Sequence, residues 1–180
     1  MGTDAQGEQS SYSGMLRELQ EFLKESDRGC ILLLASRLAT LLERLHITHV
    51  TSVSSPPKPF LKRLFTTHAP LSTFAAKIQL AYAYGLISRD DFLDLERIRK
   101  LRNKAAHSDE TFTFGNPQIK EEVRRIGTPE RIEKALPRFN LGPGLERRIM
   151  ESLMDHPDTT KFYLVLSSLY LHITLHDGVD

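Results

Sequence analysis

Apolar residues recur at helical spacing along most of the chain, and strand-like alternation is confined to one short stretch. The first amphipathic segment is "MLRELQEFLKE", with Leu16, Leu19, Phe22 and Leu23 on one face. Ser26 or Asp27 can cap the next helix, predicted from about Arg28 to His46. Its first half, "CILLLA", is apolar on all sides, which requires neighbours all round. "SRLATLLERL" keeps a single stripe, and "TSVSSPPKP", with its prolines and hydroxyl residues, predicts a loop. "FLKRLF" fits one short helical turn. Residues 71–84, "LSTFAAKIQLAYAY", fit a helix with an alanine-rich face, and Gly85 is placed to end it. Ser88 with Asp91 three residues on predicts the start of another helix, running to about His107.

Beyond Ser108 the periodicity weakens. "TFTFGNP" alternates as a short strand or an extended connection would. Residues 118–154 read as short helical pieces broken at Pro129, Pro137 and "GPG", and a long helix over about 158–176 closes the chain. Residues 1–14, rich in Gly, Ser and Gln, read as a disordered tail, leaving 15–180 as a single helical domain. The fold class is all-α, a compact helical bundle of about five to eight helices.

The helix ending at "IRKLRNKAAHS" raises a question of chemistry. With Phe92 at 0° and about 100° per residue, Leu95, Ile98, Leu101 and Ala105 fall between about 180° and 300°, the predicted buried stripe. Arg97, Lys100, Lys104 and His107 fall on the opposite face. Arg102 lands near 280°, so it is expected among core positions, paired with a carboxylate such as Asp27, Asp91 or Asp94. Arg102 and His107 stand about 140° apart and share a site only if the helix unwinds or a second copy contributes. Alternatively, Arg102 is a strut between helices and His107 a residue favoured by the helix dipole.

Composition narrows the function classes. Of 180 residues, 40% are hydrophobic and the net charge is +1, so no global field favours nucleic acid or membrane. The longest near-apolar run, residues 162–175, is too short to span a bilayer, and the start has no apolar signal segment; the expected location is the cytoplasm. The lone cysteine, Cys30, excludes an internal disulfide and reads as a buried structural thiol. His172 and His176, four apart, lack a visible third ligand, and neither metal nor cofactor is expected. His46 and His49 are expected on a solvated surface at a helix end. "KPFLKRLF" reads as an amphipathic turn covering the bundle, and the arginine pairs at 124–125 and 147–148 as solvated faces.

Three blocks in order, "ESDRGCILLLASRLATLLERL", "APLSTFAAKIQLAYAYGLI" and "DLERIRKLRNKAAHS", resemble the mannitol operon repressor (MtlR) family over about residues 16–108. The resemblance implies a compact all-α protein without a helix-turn-helix, and a transcriptional regulator that acts through a protein partner rather than by gripping DNA. Separately, "RNKAAH" is similar to the Arg-x4-His signature of HEPN-type helical domains, many of them ribonucleases active as dimers. That second resemblance implies a metal-independent ribonuclease or toxin–antitoxin component. Arg102 would neutralise a scissile phosphate, Asn103 orient one of its oxygens and His107 act as general acid and base, with Lys100 and Lys104 guiding the RNA backbone. A homodimer is expected on either view, because the 71–84 and 88–107 helices offer ample packing face.

Overall fold

A computed structural model describes residues 21–107, 111–127, 131 and 159–176. Among them every regular element is helical: α1 (Asp27–Ser54), α2 (Lys58–Leu64), α3 (Phe74–Ala83), α4 (Arg89–His107), α5 (Pro117–Arg124) and α6 (Thr159–His176). Residues 21–24 form a helical turn before α1, with Phe22 buried and Leu23 packed against the core. Leu16 and Leu19 lie outside the described residues, as do the tail and the helical pieces expected beyond Arg131.

Helix α1 runs through the middle, packed by α6, α4 and α3, while α5 bridges α4 and α6. The apolar start of α1 explains its place: Cys30, Ile31, Leu34, Leu38 and Leu42 are buried within one continuous core, but the expected cover on all sides is corrected at Leu33, which faces solvent. Ser26 caps it, its Oγ accepting from Gly29 N at 3.0 Å. Asp27 is left free to reach across the molecule. It accepts from Phe114 N at 2.8 Å and Thr113 Oγ1 at 3.0 Å, and Lys161 Nζ of α6 stands 3.6 Å away.

The predicted end of this helix at His46 is corrected. Helix α1 continues to Ser54, so the first four residues of the stretch expected as loop, 51–54, are its last turn; residues 55–57 are the loop, and 58–59 open α2. Hydroxyl side chains fold back onto the helix's own carbonyls, Thr51 Oγ1 to Ile47 O at 2.8 Å and Ser52 Oγ to His49 O at 2.7 Å. What stops the helix is Ser55, left-handed at φ 41°, followed by two prolines.

Helix α3 begins at Phe74, capped by Thr73, whose Oγ1 accepts from Ala76 N at 3.1 Å. It ends as expected at Gly85. That residue has φ +68°, Gly85 N donates to Tyr82 O and Leu86 N donates to Ala81 O, the paired bonds of a Schellman stop. Ala81 and Ile78 are fully buried within the chain, as is the apolar stripe of α4. Ser88 caps α4 as predicted: Asp91 N donates to Ser88 Oγ at 3.1 Å, and that hydroxyl donates to Asp91 Oδ2 at 2.6 Å. The "TFTF" stretch is an extended connection. Phe112 and Phe114 both turn inward, edge to face at 5.5 Å.

Candidate functional site

The last turns of α4 carry the residues singled out for chemistry. Leu95, Ile98, Leu101 and Ala105 are buried as predicted, but Arg102 is exposed. The expectation of an arginine in the core is therefore corrected. Cover over the edge near 300° is present at Leu95 and gone two to three turns later, where both Arg102 and Ala106 face solvent. The buried arc narrows toward Leu101 and Ala105, the side that α5 covers. Arg102 Nη1 donates to Asn103 Oδ1 at 3.1 Å, and none of Asp27, Asp91 and Asp94 is its partner. The helix is unbroken through His107, so within one copy Arg102 and His107 project in different directions. Lys100, Lys104 and His107 are exposed, as expected of the outer face. Lys104 borders a shallow groove of about 490 Å³ whose floor is Leu101 and whose far wall is α5 at Pro117, Ile119 and Glu122.

The arginine that does meet the core carboxylates is Arg131. Its Nη1 donates to Asp94 Oδ2 at 2.9 Å, its Nη2 to Asp91 Oδ1 at 2.6 Å, and its guanidinium lies 4.8 Å from the centre of the Tyr170 ring. Asp94 also accepts from Gly127 N at 2.9 Å and from Arg97 Nη1 at 2.9 Å. Burial pushes the Asp94 carboxyl above the usual carboxylate range, against the pull of Arg131, the Gly127 N–H and Arg97. Tyr163 OH donates to Gly127 O and Ser167 Oγ to Ile126 O, so this cluster fastens the end of α5 to α4 and α6. Two aspartates three apart on the core face were the available signal. Nothing in the spacing pointed to a cation so far along the chain.

The histidines divide. His46, expected at a solvated helix end, is buried; its Nε2 lies 2.8 Å from Lys77 O of α3. Burial lowers its pKa, reinforced by the nearby Lys77 charge and offset in part by the carbonyl bond. The Lys77 ammonium is itself held by Glu43 Oε2 at 2.7 Å and lies 5.3 Å from the Phe65 ring centre. His49 is half-buried, its ring 5.4 Å from that of Tyr84. His172 is half-buried on α6, and the side chain of His176 lies outside those described. Among the described residues no group of three or more His, Cys, Asp or Glu side chains is placed to hold a metal ion.

Cys30 is buried as expected, its thiol pushed up to about 12 by that burial, with Asp27 and Glu25 adding to the shift and Lys161 opposing it. In α2, Leu61 is buried while Lys58, Lys62 and Arg63 face solvent, the amphipathic turn predicted. Arg124 and Arg125 are exposed, the second paired with Glu121 at 3.2 Å; the pair at 147–148 lies outside the described residues. No described helix is long and apolar enough to cross a membrane.

One end of the bundle exposes apolar side chains that the sequence did not single out. There α1 and α3 finish and α4 begins. Val53 is 72% exposed, Tyr84 55%, Tyr82 42% and Leu93 37%, with the Tyr82 ring stacked 4.6 Å from that of Phe92.

These features define the class: an all-helical domain whose polar chemistry is mostly used to lock its own helices together, leaving an apolar end and a cationic helix face outward. Residues 17–140 match the family model described as the mannitol repressor, MtlR, and the chain belongs to that family. Its fold is similar to that of a chain in the X-ray structure of the MtlR–HPr complex from Escherichia coli, with a TM-score of 0.59 at 17% identity, over 89% of this chain and 97% of that one. No curated protein matches the chain.

Proposed function

We propose that this chain is a cytoplasmic transcriptional regulator of the mannitol repressor type, acting by contact with a protein partner of the HPr kind rather than by gripping DNA. The family match over residues 17–140 carries the reading, and the MtlR–HPr complex as a fold relative supports contact with a protein. Exposed aromatic side chains at one end of the bundle are the kind of surface that such contact uses. Calorimetric titration of the purified protein with HPr tests it. Saturable binding is expected, together with no sequence-specific shift of promoter duplexes by the protein alone. Absence of HPr binding, or specific retention of a duplex, would overturn it.

A second reading, metal-independent RNA cleavage, is favoured by Arg102 and His107 standing exposed in the last turns of α4, with the half-buried Asn103 bonded to Arg102. It requires two copies to bring Arg102 of one against His107 of the other. RNA cleavage in EDTA by the wild type and by His107→Ala decides it: a loss of about a hundredfold is expected for the variant, and equal rates, or none in either, end it.

A further inference from the structure

Helix α4 has six Lys/Arg and four Asp/Glu over residues 89–107, close to balance. The fold undoes that balance. Asp91 and Asp94 are turned inward, both held by Arg131 and Asp94 also by Arg97, and Glu96 is taken by Arg99 at 2.8 Å, so only Asp90, in the first turn, stays exposed and without a pairing cation among the described residues. From Arg97 to His107 the helix has five Lys/Arg and no carboxylate. Arg89, Leu93, Arg97, Lys100, Lys104 and His107 fall between about 60° and 140° on the helix wheel, one outward stripe about 27 Å long. Lys100 and Lys104 have no acidic partner among the described residues. The stripe starts beside the apolar end of the bundle: Leu93 lies within it, and Phe92 stacks on Tyr82.

An apolar spot with aromatic rings, continued by cations on one side, is the layout of a protein interface, with an anchoring centre and a charged flank that orients the approach. We propose that this end of the bundle, Val53, Tyr82, Tyr84 and Leu93, together with the Lys100–Lys104 stripe, is the docking face for the protein partner, and that the partner presents an apolar spot bordered by carboxylates. Charge complementarity fixes the second half of that description: Asp90 is exposed beside the first turn and Arg97 is paired with Asp94, but past Arg97 α4 has no carboxylate, so a cationic border would be repelled along the Lys100–His107 part of the stripe. The proposal rests on the protein-contact reading above and names the surface that performs it.

The test uses HPr as the probe against the full chain and three variants: Tyr84→Ser with Leu93→Ser, Lys100→Glu with Lys104→Glu, and the control Leu33→Ser, also solvent-exposed and about 30 Å from Val53 along α1. Every altered side chain is exposed, and matching thermal melts verify that each variant folds. The apolar pair is expected to weaken binding about tenfold or more. The charge pair is expected to slow association about threefold to tenfold at low salt, a difference that closes near 0.5 M salt as screening shortens. Leu33→Ser is expected to bind as the wild type does. If the wild type binds HPr and both pairs bind equally well, the partner reading stands and this face is wrong. If the wild type does not bind, the partner reading falls and this assignment falls with it. A wild type that sediments as a dimer, made monomeric by the apolar pair, gives the face to a second copy and overturns the proposal. So does a single-stranded oligonucleotide bound by the wild type and released by the charge pair.

Discussion

Replacing Asp94 with Ala takes the acceptor from Arg131, Arg97 and the Gly127 N–H at once, inside the molecule. Breaking one side of a buried pair costs about 3–5 kcal/mol, because the charge left behind has no water to turn to. Asp94→Ala is expected at the lower end of that range, since Arg131 keeps Asp91, and Asp94→Asn at about half of it; denaturant unfolding measures both. His46 gives a pH dependence whose sign is fixed by its burial. Its folded pKa lies below the unfolded value of about 6.5, so the unfolded chain takes up the proton first. Stability is therefore full above about pH 6.5 and is lost as pH falls below it, by at most about 1.4 kcal/mol per pH unit for one proton. His46→Gln retains a donor for Lys77 O and should show a flatter fall in melting temperature between pH 6.5 and 5. At this scale the sequence was readable where periodicity alone decides, as at Leu95, Ile98 and Ala105. It failed at Arg102 and His46, where burial depends on how far a neighbouring helix extends. The wheel gives an angle but not the length of the cover.

Helix ends are written locally when a backbone conformation demands a particular residue. Gly85 has φ +68° and is followed by the bond from Leu86 N to Ala81 O, a geometry that glycine adopts without penalty. A Cβ at this position would meet nothing within 4 Å, so Gly85→Ala carries only the cost of the backbone conformation. The expected loss is about 1 kcal/mol, less for Gly85→Asn, read as a shift in the urea midpoint at constant slope. The Ser88 cap was legible for the same reason: its bonds run within four residues. The end of α1 was not. Val, Thr and Ser in "VTSVS" are poor helix formers, yet the helix continues past His46: the His49 ring lies against Tyr84, and hydroxyl back-bonds reach the carbonyls of the last turns. The docking face went unread for a related reason. Tyr82 and Tyr84 sit in an alanine-rich segment that looks wholly like packing surface, and only the end of α3 beside the start of α4 leaves them outward.

Across the whole molecule, the match to the mannitol repressor family stops at residue 140, but the core does not. Leu164, Val165, Leu171 and Leu175 of α6 belong to the same buried cluster as Ile31, Leu38 and Leu42 of α1. The apolar start of α1 had signalled a need for cover on every side; α6 supplies much of it, though Leu33 stays 43% exposed. Lys161 Nζ adds a bond to Glu25 O at the entry to α1, Ser167 Oγ bonds Ile126 O, and Tyr170 flanks Arg131. A fragment ending at residue 140 would leave one face of α1 open to water. Each large core side chain so exposed forfeits about 1.5–3 kcal/mol, and a few such losses equal the whole stability of a domain this size. The fragment is therefore expected to keep helical far-ultraviolet circular dichroism, to lose its near-ultraviolet signal and to bind a hydrophobic dye, the behaviour of a collapsed state without fixed packing. The full chain is expected to unfold in one transition, with both spectral regions coincident. A 1–140 fragment that melts cooperatively with a native near-ultraviolet spectrum would show that α6 is an addition to a finished domain. The single cluster running from Phe22 to Leu175 argues that α6 completes the one core.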